Sequence, residues 1–231
     1  MKASPGARSW MAAGVRHELL TRALPALRHD MAAPVSVIRM GILLLKRQVT
    51  AATNPDASAW GERVALIENQ VTALASGVRS LRDWELATHD DGITRSDLVA
   101  QCTALMRVAF DLNGIALQVG EDLSPEEGEP SFPSGAALRY MFLGALGYLH
   151  DSVPHVGAID VEANGADGLR FSATQGEPAA ADPVAGAHRA PRALAIDAIA
   201  LQSLADGLGY EVTVEPQEVR FALVTGQATD R

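Results

Sequence analysis

Leu27-Arg28-His29-Asp30-Met31-Ala32-Ala33-Pro34-Val35-Ser36-Val37-Ile38 is the stretch on which the reading of this chain turns. Leu24, Leu27 and Met31 fall at alternating three- and four-residue intervals, and the pattern continues through Pro34 or Val35 to Ile38, Ile42, Leu45 and Val49. That period marks the apolar seam of a helix packed in a bundle. His29 stands two residues beyond Leu27 and so points away from the seam. An exposed imidazole has an unperturbed pKa of about 6.5, is largely neutral at pH 7 and keeps one ring nitrogen free as a nucleophile. Asp30, one residue on, can hold the other ring nitrogen in its protonated tautomer or take up a proton during transfer.

A cluster of turn formers, Thr53-Asn54-Pro55-Asp56-Ala57-Ser58, ends the pattern and can cap a following helix. The second helix reads Val64, Ile67, Val71, Leu74, Val78 and Leu81, again alternating three and four. Two such helices joined by a short loop form an antiparallel hairpin whose wide apolar seam cannot be buried by the hairpin alone. Pairing two hairpins into a four-helix bundle solves this, so the pattern predicts a homodimer with His29 on its outer face.

The segment His-Asp-Met-x-x-Pro-Val-x-x-Ile at 29–38 resembles the H-box of two-component histidine kinases and of dimeric histidine phosphotransferases. The resemblance implies that His29 is the phosphorylated residue, Asp30 its acid/base partner and Pro34 a helix kink. It also implies that residues 15–90 form a dimerisation and histidine-phosphotransfer domain. His17-Glu18-Leu19 imitates the motif, but its nearest downstream proline is Pro25, too far away to match. Four residues after the histidine, kinases with phosphatase function carry Thr or Asn to orient a water. Here the residue is Ala33, which implies weak phosphatase activity.

Charge is divided along the chain. Residues 1–50 carry eight basic and two acidic side chains, a net +6, and residues 51–231 carry a net −15. The acidic total disfavours a nucleic-acid partner. The basic excess around His29, from Arg22, Arg28, Arg39, Lys46 and Arg47, suits an acidic partner surface reached by electrostatic steering. A response-regulator receiver, with its cluster of aspartates, is such a partner. Each of these bases could equally serve to solvate the helix or to pair with acids on the second helix.

An apolar content of 48% excludes general disorder. The longest apolar run falls far short of the roughly 20 residues that span a bilayer, and residues 1–14 read as a loose or partly helical tail without a signal-peptide core. The reading is therefore a cytoplasmic protein without a membrane segment. The single cysteine, Cys102, rules out an internal disulfide and reads as a core filler, and no Cys/His cluster has zinc spacing.

Beyond His89-Asp90-Asp91-Gly92 the pattern changes to an α/β sandwich over 93–231. Helix is expected near 96–112, 135–150 and 192–207, and strand at 115–119, 158–163, 169–173, 210–214 and 219–224. The run from Glu121-Asp122 to Glu126-Glu127 and Glu129 reads as a solvated acidic loop. His89, His150, His155 and His188 read as solvated. The fold class is thus an N-terminal helical hairpin followed by a mixed α/β domain, and its order is similar to the ATP-binding domain of histidine kinases.

Departures from that family's nucleotide site are specific. Where its helix supplies an asparagine to Mg²⁺, the matching positions are Gly144 and Tyr148, and a phenol replaces a compact oxygen ligand. Phe171-Ser172-Ala173-Thr174-Gln175-Gly176-Glu177-Pro178 stands in place of Asp-x-Gly-x-Gly, with one glycine and no acid in register. Pro191-Arg192-Ala193-Leu194-Ala195 replaces the glycine-rich lid, removing amides that could cradle phosphate. Residues 93–231 therefore read as a degenerate nucleotide-binding fold with no productive ATP or Mg²⁺ site.

The whole chain looks most like the ChpT-type histidine phosphotransferases. That resemblance implies a phosphorelay carrier that moves a phosphoryl group on His29 between receiver aspartates, with Mg²⁺ supplied by the receiver and an upstream hybrid kinase as a further partner. A divergent active kinase and a noncatalytic scaffold or inhibitor of a two-component system remain as alternatives, separated by nucleotide binding and by the effect of His29→Ala.

Overall fold

The computed structural model describes residues 4–51, 57–84, 86, 92–176 and 194–225. The chain divides into two units: Leu24–Thr88 form one, and Met1–Ala23 with His89–Arg231 form the other.

The first unit is built from the C-terminal part of α1 (Pro5–Ala51), α2 (Ala57–Ser80) and a 3₁₀ turn at Leu81–Trp84. Its two helices are antiparallel, as the 3/4 spacing predicts. A Cβ built on Gly41 would lie 2.9 Å from Ile67 Cγ1, and one on Gly77 would lie 3.5 Å from Met31 Cγ. Met31, Pro34, Ile38, Gly41 and Leu45 therefore form the α1 side of the seam, with Ile67, Leu74 and Leu81 opposite. Gly41 takes the inward place that the sequence reading gave to Ile42, because a close helix approach admits only a small residue there. Ile42 is 42% exposed as a result. Thr53 to Asp56 of the expected turn, and the side chain of Val49, lie outside the described residues.

The second unit is an α/β sandwich. After β1 (Ile93–Thr94) come α3 (Arg95–Asp111), β2 (Ala116–Val119), a 3₁₀ turn at Glu121–Leu123 and β3 (Ser131–Phe132). Then follow α4 (Gly135–Ser152), β4 (Val156–Ala163), β5 (Gly168–Gln175), α5 (Ala198–Leu208), β6 (Val212–Glu215) and β7 (Glu218–Ala222). The five-stranded sheet has the order β2-β4-β5-β7-β6, with β2 parallel to β4 and the other pairs antiparallel. The parallel pair needs a crossover, which α4 supplies. Thr94 caps α3 by accepting from the Asp97 amide, and Asp197 caps α5 by accepting from the Ala200 amide. Gly209 ends α5 at φ 82°, the left-handed position glycine takes without penalty.

One face of the sheet is apolar. Ile159, Val161, Leu169, Phe171, Val219 and Phe221 meet the helices, and Phe142 of α4 sets its ring edge against Phe171 at 4.8 Å between centroids. The expected strands and helices agree with the structure to within a few residues, with one exception. α5 begins at Ala198 behind its Asp197 cap, not near 192. The β1–β3 ribbon, with two residues per strand, was absent from the sequence reading.

The N-terminal boundary also differs. Residues 1–14 read as a tail, yet α1 begins at Pro5, and Ala12, Val15, Leu19 and Ala23 are buried in the α/β unit. They form an outer layer over α4 and α5. At Gly207 of α5 a Cβ would come within 2.6 Å of the Ala12 methyl, so the crossing depends on glycine. The unit boundary thus falls at 23/24 rather than 14/15. No described helix is long and apolar enough to cross a membrane.

Candidate functional site

His29 is exposed on α1. Two residues further, Met31 packs against Gly77 of α2, so the histidine's exposure follows from the seam's period. The side chain of Asp30 lies outside the described residues, though its backbone continues α1. Pro34 is buried on the seam, and α1 runs through it unbroken. Having no N–H, Pro34 cannot donate to the Asp30 carbonyl one turn back.

The face of His29 continues down α1 at helical spacing through Ala33, Ser36, Met40 and Leu43, all exposed. Met40 is 56% exposed. An open groove of about 510 Å³ is lined here by Ser36, Arg39, Met40, Ile42, Leu43 and Lys46. Arg28, Arg39, Lys46 and Arg47 are exposed. The sequence reading gave the charges and missed the apolar stripe between them. Met40 and Leu43 were legible as surplus, because α1 from Val35 to Leu45 is apolar on more sides than one seam can cover.

Arg22, read with that basic surface, is held elsewhere. Its Nη2 donates to Asp151 Oδ2 at 2.8 Å and to the Leu194 carbonyl at 2.7 Å, and its Nε donates to Glu18 Oε1 at 2.9 Å. Burial opposes the Arg22 charge, but Asp151 and Glu18 raise its pKa above the ordinary value. Burial likewise opposes the Asp151 charge. Hydrogen bonds from His150, Arg22 and the Ile196 amide, with the Arg22 charge alongside, nonetheless hold its carboxyl well below the usual carboxylate range.

His150 is consequently not the solvated histidine the sequence suggested. Its Nδ1 lies 2.9 Å from Asp151 Oδ1 and its ring edge meets Phe110 at 5.7 Å. His155 is exposed in the turn before β4 at φ 51°, and His89 and His188 lie outside the described residues. Two members of the acidic loop also have partners. Glu129 accepts from the Ser96 amide at 2.8 Å, and Asp122 accepts from the Ala163 amide at 3.2 Å. Cys102 is fully buried, and burial pushes its thiol up to about 12, partly offset by the Arg139 charge, as suits a core filler.

On α4, Gly144 faces neighbouring helices. A Cβ there would lie 2.8 Å from Leu204 Cδ2, 3.0 Å from Leu201 Cδ1 and 3.8 Å from Leu19 Cδ1. Tyr148 is buried, and its hydroxyl donates to the Glu215 carbonyl of β6 at 3.0 Å. Burial raises its phenol pKa. Ala173 is buried in β5, and Glu177, Pro178 and Pro191 to Ala193 lie outside the described residues. Among the described residues no three His, Cys, Asp or Glu side chains gather at metal-binding distance.

No protein-family model matches the chain, and no curated protein matches it. Among solved structures it is similar to the cytoplasmic segment of histidine kinase QseC, at 13% identity and a TM-score of 0.38, covering 68% of this chain and 95% of that one. It is also similar to a histidine kinase from Burkholderia phymatum STM815, at 14% identity and a TM-score of 0.37, covering 86% and 98%. A third is histidine kinase ThkA in complex with response regulator protein TrrA, at 13% identity and a TM-score of 0.31, covering 95% and 66%.

Proposed function

We propose that this chain is a histidine phosphotransfer protein of a two-component phosphorelay that carries a phosphoryl group on His29 between receiver aspartates and does not bind ATP productively. The observation that carries the reading is the exposure of His29 on the hairpin's first helix, its orientation set by the packing of Met31 on Gly77. In the reaction, one imidazole nitrogen attacks the phosphorus of an aspartyl phosphate. The N–P bond forms as the acyl O–P bond breaks, and the receiver's carboxylate leaves. Asp30 serves as the acid/base partner of His29 in the transfer, and Mg²⁺ comes with the receiver.

Receiver docking uses the apolar stripe of Met40 and Leu43 with Arg28, Arg39, Lys46 and Arg47 around it. Burial of the stripe gives affinity, and the bases steer an acidic surface into register. The hairpin acts as a homodimer in the cytosol. Val35 and Ile42 on α1, with Val64, Val71 and Val78 on α2, are exposed at seven-residue spacing beside the seam, as the unfilled half of a four-helix core would be.

Gly144 and Tyr148 do not fit a Mg²⁺-nucleotide. A side chain at 144 would collide with Leu201 and Leu204, and the phenol of Tyr148 is committed to the Glu215 carbonyl. A protein without its own phosphoryl source must take the group from another.

The test is transfer from a panel of receiver domains, each charged on its aspartate with acetyl phosphate. Label should move to the wild-type chain and not to His29→Ala, and calorimetry with Mg-ATP should show no heat of binding. Label moving equally to His29→Ala would remove His29 from the reaction, and Mg-ATP binding would return the kinase reading.

A further inference from the structure

A second groove lies wholly within the α/β unit, where the N-terminal part of α1 crosses α5. Its volume is about 260 Å³. The two helices approach closely because Ala12 faces Gly207, where a Cβ would come within 2.6 Å of the Ala12 methyl. Arg8 and Arg16 stand four residues to either side of Ala12, so all three share one face of α1. Eight residues of helix set the two arginine Cα atoms about 12 Å apart along the axis, and both side chains can reach one anion held between them. Ser9 of α1, with Ser203 and Asp206 of α5, completes the lining.

The two walls differ in hydrogen-bonding character. The α1 wall offers donors, namely two guanidinium forks and the Ser9 hydroxyl. The α5 wall offers acceptors. Ser203 gives its proton to the Ile199 carbonyl at 2.7 Å, which leaves its oxygen to accept. Asp206 takes the Gln202 amide on Oδ1 at 2.9 Å and keeps Oδ2 for another donor. Among the described residues neither Arg8 nor Arg16 is ion-paired, with Asp206 or with any other carboxylate. Arg16 is half-buried. Burial raises the phenol pKa of Tyr140 on α4, and the nearby Arg16 charge opposes that rise. A guanidinium so placed has given up part of its water without gaining a counter-charge.

We propose that this groove binds a small hydroxylated phosphate monoester of the sugar-phosphate class, its phosphoryl group between Arg8 and Arg16 and its hydroxyls on Asp206 and Ser203. A phosphate dianion matches two guanidiniums in charge, and its oxygens match each planar fork in shape. The ligand's hydroxyls donate to the acceptors opposite, which the dianion's own oxygens cannot do. Ordinary ligand clefts begin at about 300 Å³. A groove of about 260 Å³ therefore has room for a phosphoryl group and a few carbons, and not for a nucleoside triphosphate. The site does not rest on the phosphotransfer reading.

The experiment is calorimetric titration of the full chain, as wild type, Arg8→Gln, Arg16→Gln and Asp206→Ala, with ribose 5-phosphate, inorganic phosphate and ribose. Ribose 5-phosphate should bind the wild type with a Kd below about 1 mM, at least about tenfold more tightly than inorganic phosphate, and ribose should give no heat. Either arginine substitution should weaken ribose 5-phosphate about tenfold or more. Asp206→Ala should weaken it about fivefold without weakening inorganic phosphate. Arg8 is exposed, so Arg8→Gln decides the matter should Arg16→Gln fail to fold. No saturable binding up to about 10 mM would overturn the proposal, as would binding that the arginine variants keep. Inorganic phosphate binding as tightly as ribose 5-phosphate would overturn it as well, leaving a site for an adventitious ion only.

Discussion

The two units bury their apolar residues to very different degrees. In the α/β unit Leu98, Leu138, Phe142, Ile159, Leu169 and Phe171 are fully buried, three helices cover one face of the sheet, and the N-terminal part of α1 packs outside α4 and α5. Among the described residues of the hairpin no large side chain reaches that state. Val35, Met40, Ile42, Leu43, Val64, Val71 and Val78 are each more than a third exposed. The difference teaches that one unit completes its core within the chain, whereas the other leaves apolar residues uncovered. In the function proposed above, a second copy covers the heptad positions beside the seam and a receiver covers the stripe below His29.

The comparison breaks first if its strong side proves weak. Phe142→Ala should cost about 3–5 kcal/mol in chemical denaturation monitored in the α/β unit, because a fully buried ring is replaced by a cavity. A cost below about 1 kcal/mol would mean that this core is not close-packed. The weak side is tested by Val71→Asp. The substitution puts a charge at a position exposed in one chain and enclosed in a paired bundle, and should raise the dimer dissociation constant about a hundredfold, or about 3 kcal/mol, in sedimentation. The same change at Val108 of α3, 63% exposed, should leave stability within about 0.5 kcal/mol and association unchanged.

Gly144→Asn sharpens the contrast at a single residue. Adding the family's asparagine to so closed a position should destabilise the α/β unit by about 1–3 kcal/mol without creating Mg-ATP binding, measured by thermal melts and calorimetry. The smallest effect is pH-dependent. Asp151 has a lowered pKa in the folded state, so its contribution to stability is complete above the unfolded value of about 3.9 and is lost as pH falls through the folded one. The stability gap between wild type and Asp151→Asn should therefore stay level from about pH 7 to pH 5 and close only in stronger acid. A gap that closed near neutral pH would point to a different group.

Much of the fold was legible because two periods are physically distinct. The 3/4 alternation from Leu24 to Leu45 and from Val64 to Leu81 marks two helices of a hairpin, although Met31, Ile38, Leu45, Ile67, Leu74 and Leu81 turn inward while Leu24, Ile42, Val64, Val71 and Val78 are exposed. The α/β order was readable from runs such as Ile159 to Val161 and Leu169 to Ala173, where alternate residues turn inward. His29 was legible as the residue the seam excludes.

What escaped depended on distance in the sequence or on brevity. Ala12, Val15, Leu19 and Ala23 share the helical period of the hairpin seam, so periodicity could not reveal that they pack on α4 and α5. Arg22 sits in a run of bases, and its true partner is 129 residues away. His150 read as solvated because Arg22 and Ile196, which complete the network around its partner Asp151, come from elsewhere in the chain. Two-residue strands such as β1 and β3 are too short to show alternation at all.

The N-terminal turns of α1 belong to the same unit as β7, so the α/β unit opens and closes the described chain and the hairpin is an insertion within it. Emerging from the ribosome, residues 5–23 have no surface to rest on until α4 and α5 have been made. The hairpin pairs residues close in sequence, such as Gly41 with Ile67, and can form much earlier. Contacts that span most of a chain pay their loop entropy late. Assembly thus runs from the middle outward: the C-terminal half of α1 can fold against α2 before the N-terminal half of the same helix has a place to dock.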